Sequence, residues 1–258
     1  MLPNFLHLGA AKAASTYLWT IYQEHPEIYV PLKLEEGGRT TNADNPNFFV
    51  GTYHKGLDWY EKTFFAGWNG EKAVGETSNS YMLFEPALER IARDLPGVRV
   101  SMILRNPVEI AFLQYATNIK SQLINLERAS LDKMLYSHSW QLFRMWAEPG
   151  FYASHIRRVL RFFPRERVHI AFYDDLCADS LAFVRSFFRF LEVDDRFAPA
   201  QTNTVIGFPG TSGSDTPEGT ISKGIAPDLL EELRLVFRED IEQLEQLTGR
   251  DLSAWRRA

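Results

Sequence analysis

Residues 5–19 read FLHLGAAKAASTYLW. The apolar run Phe5-Leu6-His7-Leu8 predicts a short buried strand, and Gly9 breaks it. From Ser15 onward, Leu18, Ile21 and Tyr22 fall at helical spacing, with Ser15 or Thr16 expected to cap the helix. Strand, tight loop and helix in that order aim a helix N-terminus at whatever sits in the loop. Its unpaired N–H groups and partial positive charge make an anion site. Lys12 adds a full charge, and Ser15 and Thr16 add hydroxyl donors. The usual nucleotide-triphosphate loop keeps Gly-Lys-Ser/Thr together. Here Lys12 stands three residues after Gly9 and three before Ser15. Spacing alone therefore leaves two readings, a phosphate loop of another kind or an ordinary turn with an exposed lysine.

Outward from this stretch, strands and helices alternate. Ala73-Val74-Gly75 reads as a strand ending at Glu76, and Glu85 to Leu95 as an amphipathic helix stopped by Pro96-Gly97. Val98 to Leu104 (VRVSMIL) is the clearest strand. Pro107 then opens a helix to about Gln122, at a first-turn position where its missing N–H is harmless. A helix-rich stretch over 130–163, a strand at Val168–Phe172, a helix from Ser180 to Leu191 and a last helix from about Pro227 to Leu247 follow. Residues 31–56 read as a polar, irregular surface insertion, and 207–220 as a mobile loop rich in Gly, Ser, Thr and Pro. The expected fold is α/β: three layers, a central parallel sheet with helices on both faces, and a P-loop-like phosphate-binding loop after the first strand. One domain over 1–258 is expected, with a mobile loop at about 207–224. In such sheets ligands bind beyond the carboxyl ends of the strands. Lys12, Glu76 and Arg105 are read as following strands.

Composition bounds the partners. Of 258 residues, 45% are apolar and 24% charged, enough to fill a core, and the net charge is −5. A net acidic chain argues against nucleic acid as partner. Cys177 is the single cysteine, so no internal disulfide forms; it reads as a small filler after a strand. No apolar run is long enough to span a bilayer and no secretory leader is visible, so a cytoplasmic location is expected. The six histidines are scattered without metal-ligand spacing, and no metal is expected.

Arg105 can grip a phosphate with two parallel hydrogen bonds, or pair with a surface carboxylate. Glu76 can accept a proton from an alcohol or amine when burial raises its pKa, or serve the structure alone. Phe48, Phe49, Tyr81, Trp140, Phe143 and Trp146 can line an acceptor pocket or belong to the core. Arg157, Arg158 and Arg161 can hold an anionic glycan or form a solvated face.

The ordered set FLHLGAAKAASTYLWTIYQEHPEIYVP, GETSNSYM, VSMILRNPVEIAFLQY, VHIAFYDDL and LTGRDLSAW resembles the sulfotransferases that use 3′-phosphoadenosine-5′-phosphosulfate (PAPS), nearest the bacterial and heparan-type branch. The resemblance runs from Phe5 to Trp255. It implies that Lys12, Ala13, Ala14, Ser15 and Thr16 hold the 5′-phosphosulfate and that Arg105 holds the 3′-phosphate. It also implies that Glu76 is the catalytic base, that Lys12 neutralises the leaving phosphate, and that Lys223-Gly224 closes over the cofactor. The implied activity moves a sulfuryl group from PAPS to an alcohol or amine on a carbohydrate, lipid or small metabolite, releasing 3′-phosphoadenosine-5′-phosphate. Two departures stand out. The family's serine eight residues after the arginine is Leu113, which removes a charge-assisted hydrogen bond of roughly 1.5–3 kcal/mol; Gln114 and Asn118 are the nearby candidates to replace it. Lys33-Leu34-Glu35 stands where Lys-x-Pro is common. A P-loop nucleotide kinase and a degenerate, non-catalytic nucleotide-binding member remain the alternatives.

Overall fold

The computed structural model describes residues 1–36, 39–120, 134, 140–203 and 227–257. Its contacts gather into two compact units, Met1–Leu104 with Arg158–Ile206 and Arg105–Arg157 with Gly207–Ala258. The expected mobile loop at 207–224, with Lys223 and Gly224, lies outside the described residues.

The first unit is built on a five-stranded sheet. Its strands are β1 (Phe5–His7), β2 (Ile28–Tyr29), β5 (Ala73–Thr77), β6 (Arg99–Leu104) and β7 (Val168–Phe172). They lie in the order β2-β5-β1-β6-β7, and every pair is parallel. The first connection leaves β1 toward β2, whereas the chain leaving β6 returns as β7 on the other side. Neighbouring strands β1 and β6 thus send their connections in opposite directions, which is the switch point where α/β sheets bind ligands.

Strand alternation assigns the faces. Phe5 of β1 meets Tyr22 of α1 (Ser15–Glu24) edge-on, ring centroids 5.2 Å apart. Phe5 pairs in register with Gly75 of β5. A Cβ on Gly75 would lie 2.3 Å from the Phe5 carbonyl oxygen, so only glycine permits this approach. The next residue, Glu76, points to the opposite face, where it meets Tyr60 of α2 (Leu57–Phe64). Helices therefore cover both faces, as expected. The predicted helical residues Leu18, Ile21 and Tyr22 of α1 are fully buried. On α8 (Ser180–Leu191), Phe183, Phe187, Phe188 and Leu191 are buried, whereas Phe190 is only half-buried. The Asp179 side chain caps that helix by accepting from the Ala182 N–H at 2.9 Å.

Two readings of the sequence need correction. Residues 31–56 are not an irregular surface insertion. β3 (Lys33–Glu36) and β4 (Arg39–Asn42) pair as an antiparallel hairpin, and Phe48–Thr52 and Tyr53–Lys55 form helical turns. Phe48 and Phe49 are completely buried. The sequence left both between an acceptor pocket and the core, and the fold makes them core: Phe48 stacks on Tyr60 at 4.1 Å. Cys177 is exposed on α7 (Tyr173–Ala178), so it fills no core gap.

The second unit is helical. It holds α4 (Pro107–Lys120), α5 (Trp140–Trp146), the first residues of α6 (Tyr152–Phe162), α9 (Pro227–Thr248) and α10 (Ser253–Arg257). Pro107 takes the first helical position of α4 as predicted, and Asn106 caps it, its Oδ1 accepting from the Val108 N–H at 3.0 Å. Rings make the core: Phe151 packs on Phe237 at 5.2 Å and Tyr115 on Trp146 at 5.1 Å.

Candidate active site

The loop after β1 is held by backbone on two sides. Leu8 and Ala10 N–H groups donate to Ser101 and Ile103, and Gly9 accepts from Ile103, prolonging the ladder with β6. On the other side Ser78 N–H donates to His7 and Met82 N–H to Leu8. Gly9, at φ +141°, leaves no room for a Cβ, which would fall 2.7 Å from the Met82 sulfur. The chain then takes two left-handed residues, Lys12 (φ 64°) and Ala14 (φ 72°). Both are non-glycine, and such conformations concentrate at functional sites.

The expected cap on α1 is absent. Ala14 stands at the N-cap, no side chain caps the helix there, and its first turn carries no acidic residue. Ser15 is buried and Thr16 exposed, so neither replaces the cap. The first-turn N–H groups keep the helix's positive end available for an anion. Lys12 is solvent-accessible, yet the surrounding protein lowers its pKa by desolvation. Loop, uncapped helix and lysine are a donor set whose chemistry fits a phosphate-like anion.

Glu76 lies within β5, one residue before its end, rather than after it. It is fully buried. Its Oε1 accepts from Tyr60 at 2.8 Å and from Tyr81 at 2.7 Å, and its Oε2 accepts from the Ser78 hydroxyl. Burial raises its pKa to about 7, against the pull of the Ser78, Tyr81 and Tyr60 hydrogen bonds. A carboxylate poised there takes or keeps a proton near neutrality.

Arg105 opens the second unit and is buried, 5% exposed. Its Nε donates to Glu109 Oε2 at 2.6 Å, and its carbonyl accepts from Tyr152 at 2.9 Å. Leu113, one helical turn past Glu109, is buried as well.

The structure resolves the remaining candidates. Phe48, Phe49, Tyr81 and Trp146 are core residues, Phe143 is half-buried against Phe151, and Trp140 is exposed at 69%. The arginine stripe is satisfied within the protein. Arg161 pairs with Glu85 at 2.8 Å, Arg158 donates to the Leu83 carbonyl at 3.0 Å, and Arg157 donates to Gln243 at 2.5 Å. That favours the solvated, internally paired reading over a glycan surface. Among the described residues no group of His, Cys, Asp and Glu has a metal-binding arrangement, and no helix is long and apolar enough to cross a membrane. Sequence reasoning missed Tyr60 and Ser78; only their hydroxyls signalled a role, and many hydroxyls sit in this chain.

A family model described as "Sulfotransferase domain" matches residues 15–206, a span that includes Ser15, Thr16, Glu76 and Arg105. The chain is 26% identical to heparan sulfate glucosamine 3-O-sulfotransferase 3B1 of Mus musculus over 97% of its own length, and spans 64% of that protein. Among solved structures, a sulfotransferase from Alicyclobacillus acidocaldarius aligns over 99% of both chains at 30% identity with a TM-score of 0.75. Mouse sulfotransferase SULT7A1, solved with PAP, aligns over 95% of this chain and 85% of its own at 11% identity with a TM-score of 0.52, a likeness of fold alone.

Proposed function

The chain belongs to the sulfotransferase domain family, and from that premise we propose that it transfers a sulfuryl group from PAPS to an alcohol on a carbohydrate. The observation that carries this reading is the uncapped N-terminus of α1 behind Lys12. The heparan-type relatives favour a glycan over a lipid or a small metabolite as acceptor. We propose that residues 1–258 act as one such domain. We also propose that the enzyme works in a reducing compartment such as the cytoplasm, a reading supported by the single cysteine.

PAPS supplies an activated sulfuryl group on a phosphate leaving group. Lys12, Ala13, Ala14, Ser15 and Thr16 would hold the 5′-phosphosulfate, through loop and first-turn N–H groups, the Thr16 hydroxyl and the Lys12 ammonium. Lys12 would meet the negative charge that grows on the leaving phosphate oxygen. Arg105 is proposed for the 3′-phosphate, and Lys223 with Gly224 for closing over the nucleotide; both assignments rest on the family motif. Glu76 would take the proton of the acceptor hydroxyl, supported by its burial and by its pKa near 7.

Calorimetric titration with 3′-phosphoadenosine-5′-phosphate, ADP and ATP–Mg²⁺ tests the reading. Selective binding of the bisphosphate is expected. Preference for ATP–Mg²⁺ would instead support a kinase, and binding of none of the three a non-catalytic member.

A further inference from the structure

Glu76 is gripped unequally at its two oxygens. A carboxylate oxygen offers two lone-pair sites. On Oε1 both are taken, by the phenols of Tyr60 and Tyr81 at 2.8 and 2.7 Å. On Oε2 the Ser78 hydroxyl takes one.

The directions of these bonds are fixed from outside. The Tyr81 oxygen accepts from the Phe49 N–H at 3.3 Å, so its single proton turns to the carboxylate. The Ser78 oxygen accepts from the Asn47 N–H at 2.8 Å, which turns its proton the same way. Tyr60 is held by its ring, stacked on Phe48 at 4.1 Å with an interplanar angle of 9° and edge-on to Phe65 at 5.1 Å. Both tyrosines are fully buried, and burial keeps their hydroxyls protonated as donors. Among the described residues, the titratable groups bound to Glu76 are Tyr60 from α2 and Tyr81 from the turn Tyr81–Leu83. Segment 47–49 adds backbone N–H groups and phenyl rings, and Arg90 of α3 (Glu85–Asp94) binds the Phe49 carbonyl at 2.6 Å.

We infer that Tyr60 and Tyr81 are positioning residues that occupy Oε1 of Glu76 and reserve Oε2 as the oxygen that receives the acceptor's proton. This rests on the proposed role of Glu76 as base. The proton leaves the acceptor hydroxyl for Oε2, and its electron pair stays on the acceptor oxygen for bonding to sulfur. Two phenol donors also stabilise the ionised carboxylate against its burial, which holds its pKa down to about 7.

Tyr60→Phe and Tyr81→Phe keep the rings and remove one donor each. The titration of Glu76 is followed by the infrared carbonyl stretch of its protonated form, identified by its loss in Glu76→Gln. The acid limb of kcat/KM is measured on the same proteins. Each tyrosine variant should move the infrared midpoint upward by about one pH unit, with the acid limb following. A purely structural role would lower Tm and leave both midpoints in place, and an unmoved infrared midpoint in both folded variants overturns the inference. An infrared midpoint that moves beneath an unmoved acid limb supports the hold on Glu76 and overturns instead the assignment of Glu76 as base.

Discussion

Glu76 in the first unit and Arg105 in the second are both buried charged residues, and the protein satisfies them in opposite ways. Glu76 is bound by three neutral hydroxyls, from Tyr60, Tyr81 and Ser78. Arg105 is bound to a full countercharge, Glu109, four residues along. Neutral donors partly offset desolvation without fixing the charge, so Glu76 titrates at about 7. An opposite charge a hydrogen bond away orients a guanidinium. The first arrangement suits a group that must gain and lose a proton, and the second a group that must remain a cation.

The sharpest way to break this contrast is Glu76→Gln. The amide cannot accept the proton, and kcat/KM should fall about 10²–10⁴-fold, with affinity for the bisphosphate unchanged by calorimetry. In the unmodified enzyme kcat/KM should rise with pH through about 7 and level above it, because the ionised form is the active one. Stability runs the other way. The folded pKa lies above the ordinary 4.5, so the folded state binds the proton more tightly. Stability should therefore fall as pH rises from 4.5 to about 7 and stay flat above, a dependence lost in Glu76→Gln and measurable by denaturant titration. Next in size, Lys12→Ala should lower kcat by about 10²–10³-fold while leaving the Glu76 limb in place.

Smaller effects sharpen the arginine side. Leu113→Ser restores the hydroxyl the family uses beside the arginine, and bisphosphate affinity should rise about ten- to a hundredfold. Leu113 is buried, so the same substitution should lower stability by about 2–5 kcal/mol. Affinity and stability moving in opposite directions identify the residue as an affinity determinant lying in the core. Asn106→Ala should be the mildest change. It removes the cap of α4 just after Arg105 and should lower stability by about 1 kcal/mol, read from the denaturation midpoint.

Much of the site was legible because its signals are local. β1, the loop and α1 follow from an apolar run, a glycine and a helical repeat between Phe5 and Tyr22. Pro107 marked the start of α4 within one position. The cap failed as a local rule. Serine and threonine favour N-caps in general, yet here the loop enters the helix through left-handed Ala14 and leaves Ser15 and Thr16 inside the first turn. The arginine stripe on α6 was ambiguous for a related reason. Its charges read alike from sequence whether they face solvent or reach Glu85, the Leu83 carbonyl and Gln243.

The sequence by itself determined the alternation of strands and helices, the placement of Lys12 and Arg105 after strands, and the family, since these depend on spacing and order. The tertiary structure alone decided how Glu76 is held. Tyr60 lies sixteen residues before it and Tyr81 five after. Residues 47–49 aim two of the three hydroxyls on Glu76 and stack against the third, although they lie in a stretch, 31–56, that reads as a polar surface insertion. Hydrogen-bond direction, burial and ring stacking are relations between distant segments. A residue's pKa follows those relations rather than its neighbours in sequence, and so the chemistry of Glu76 emerges only when the chain is folded.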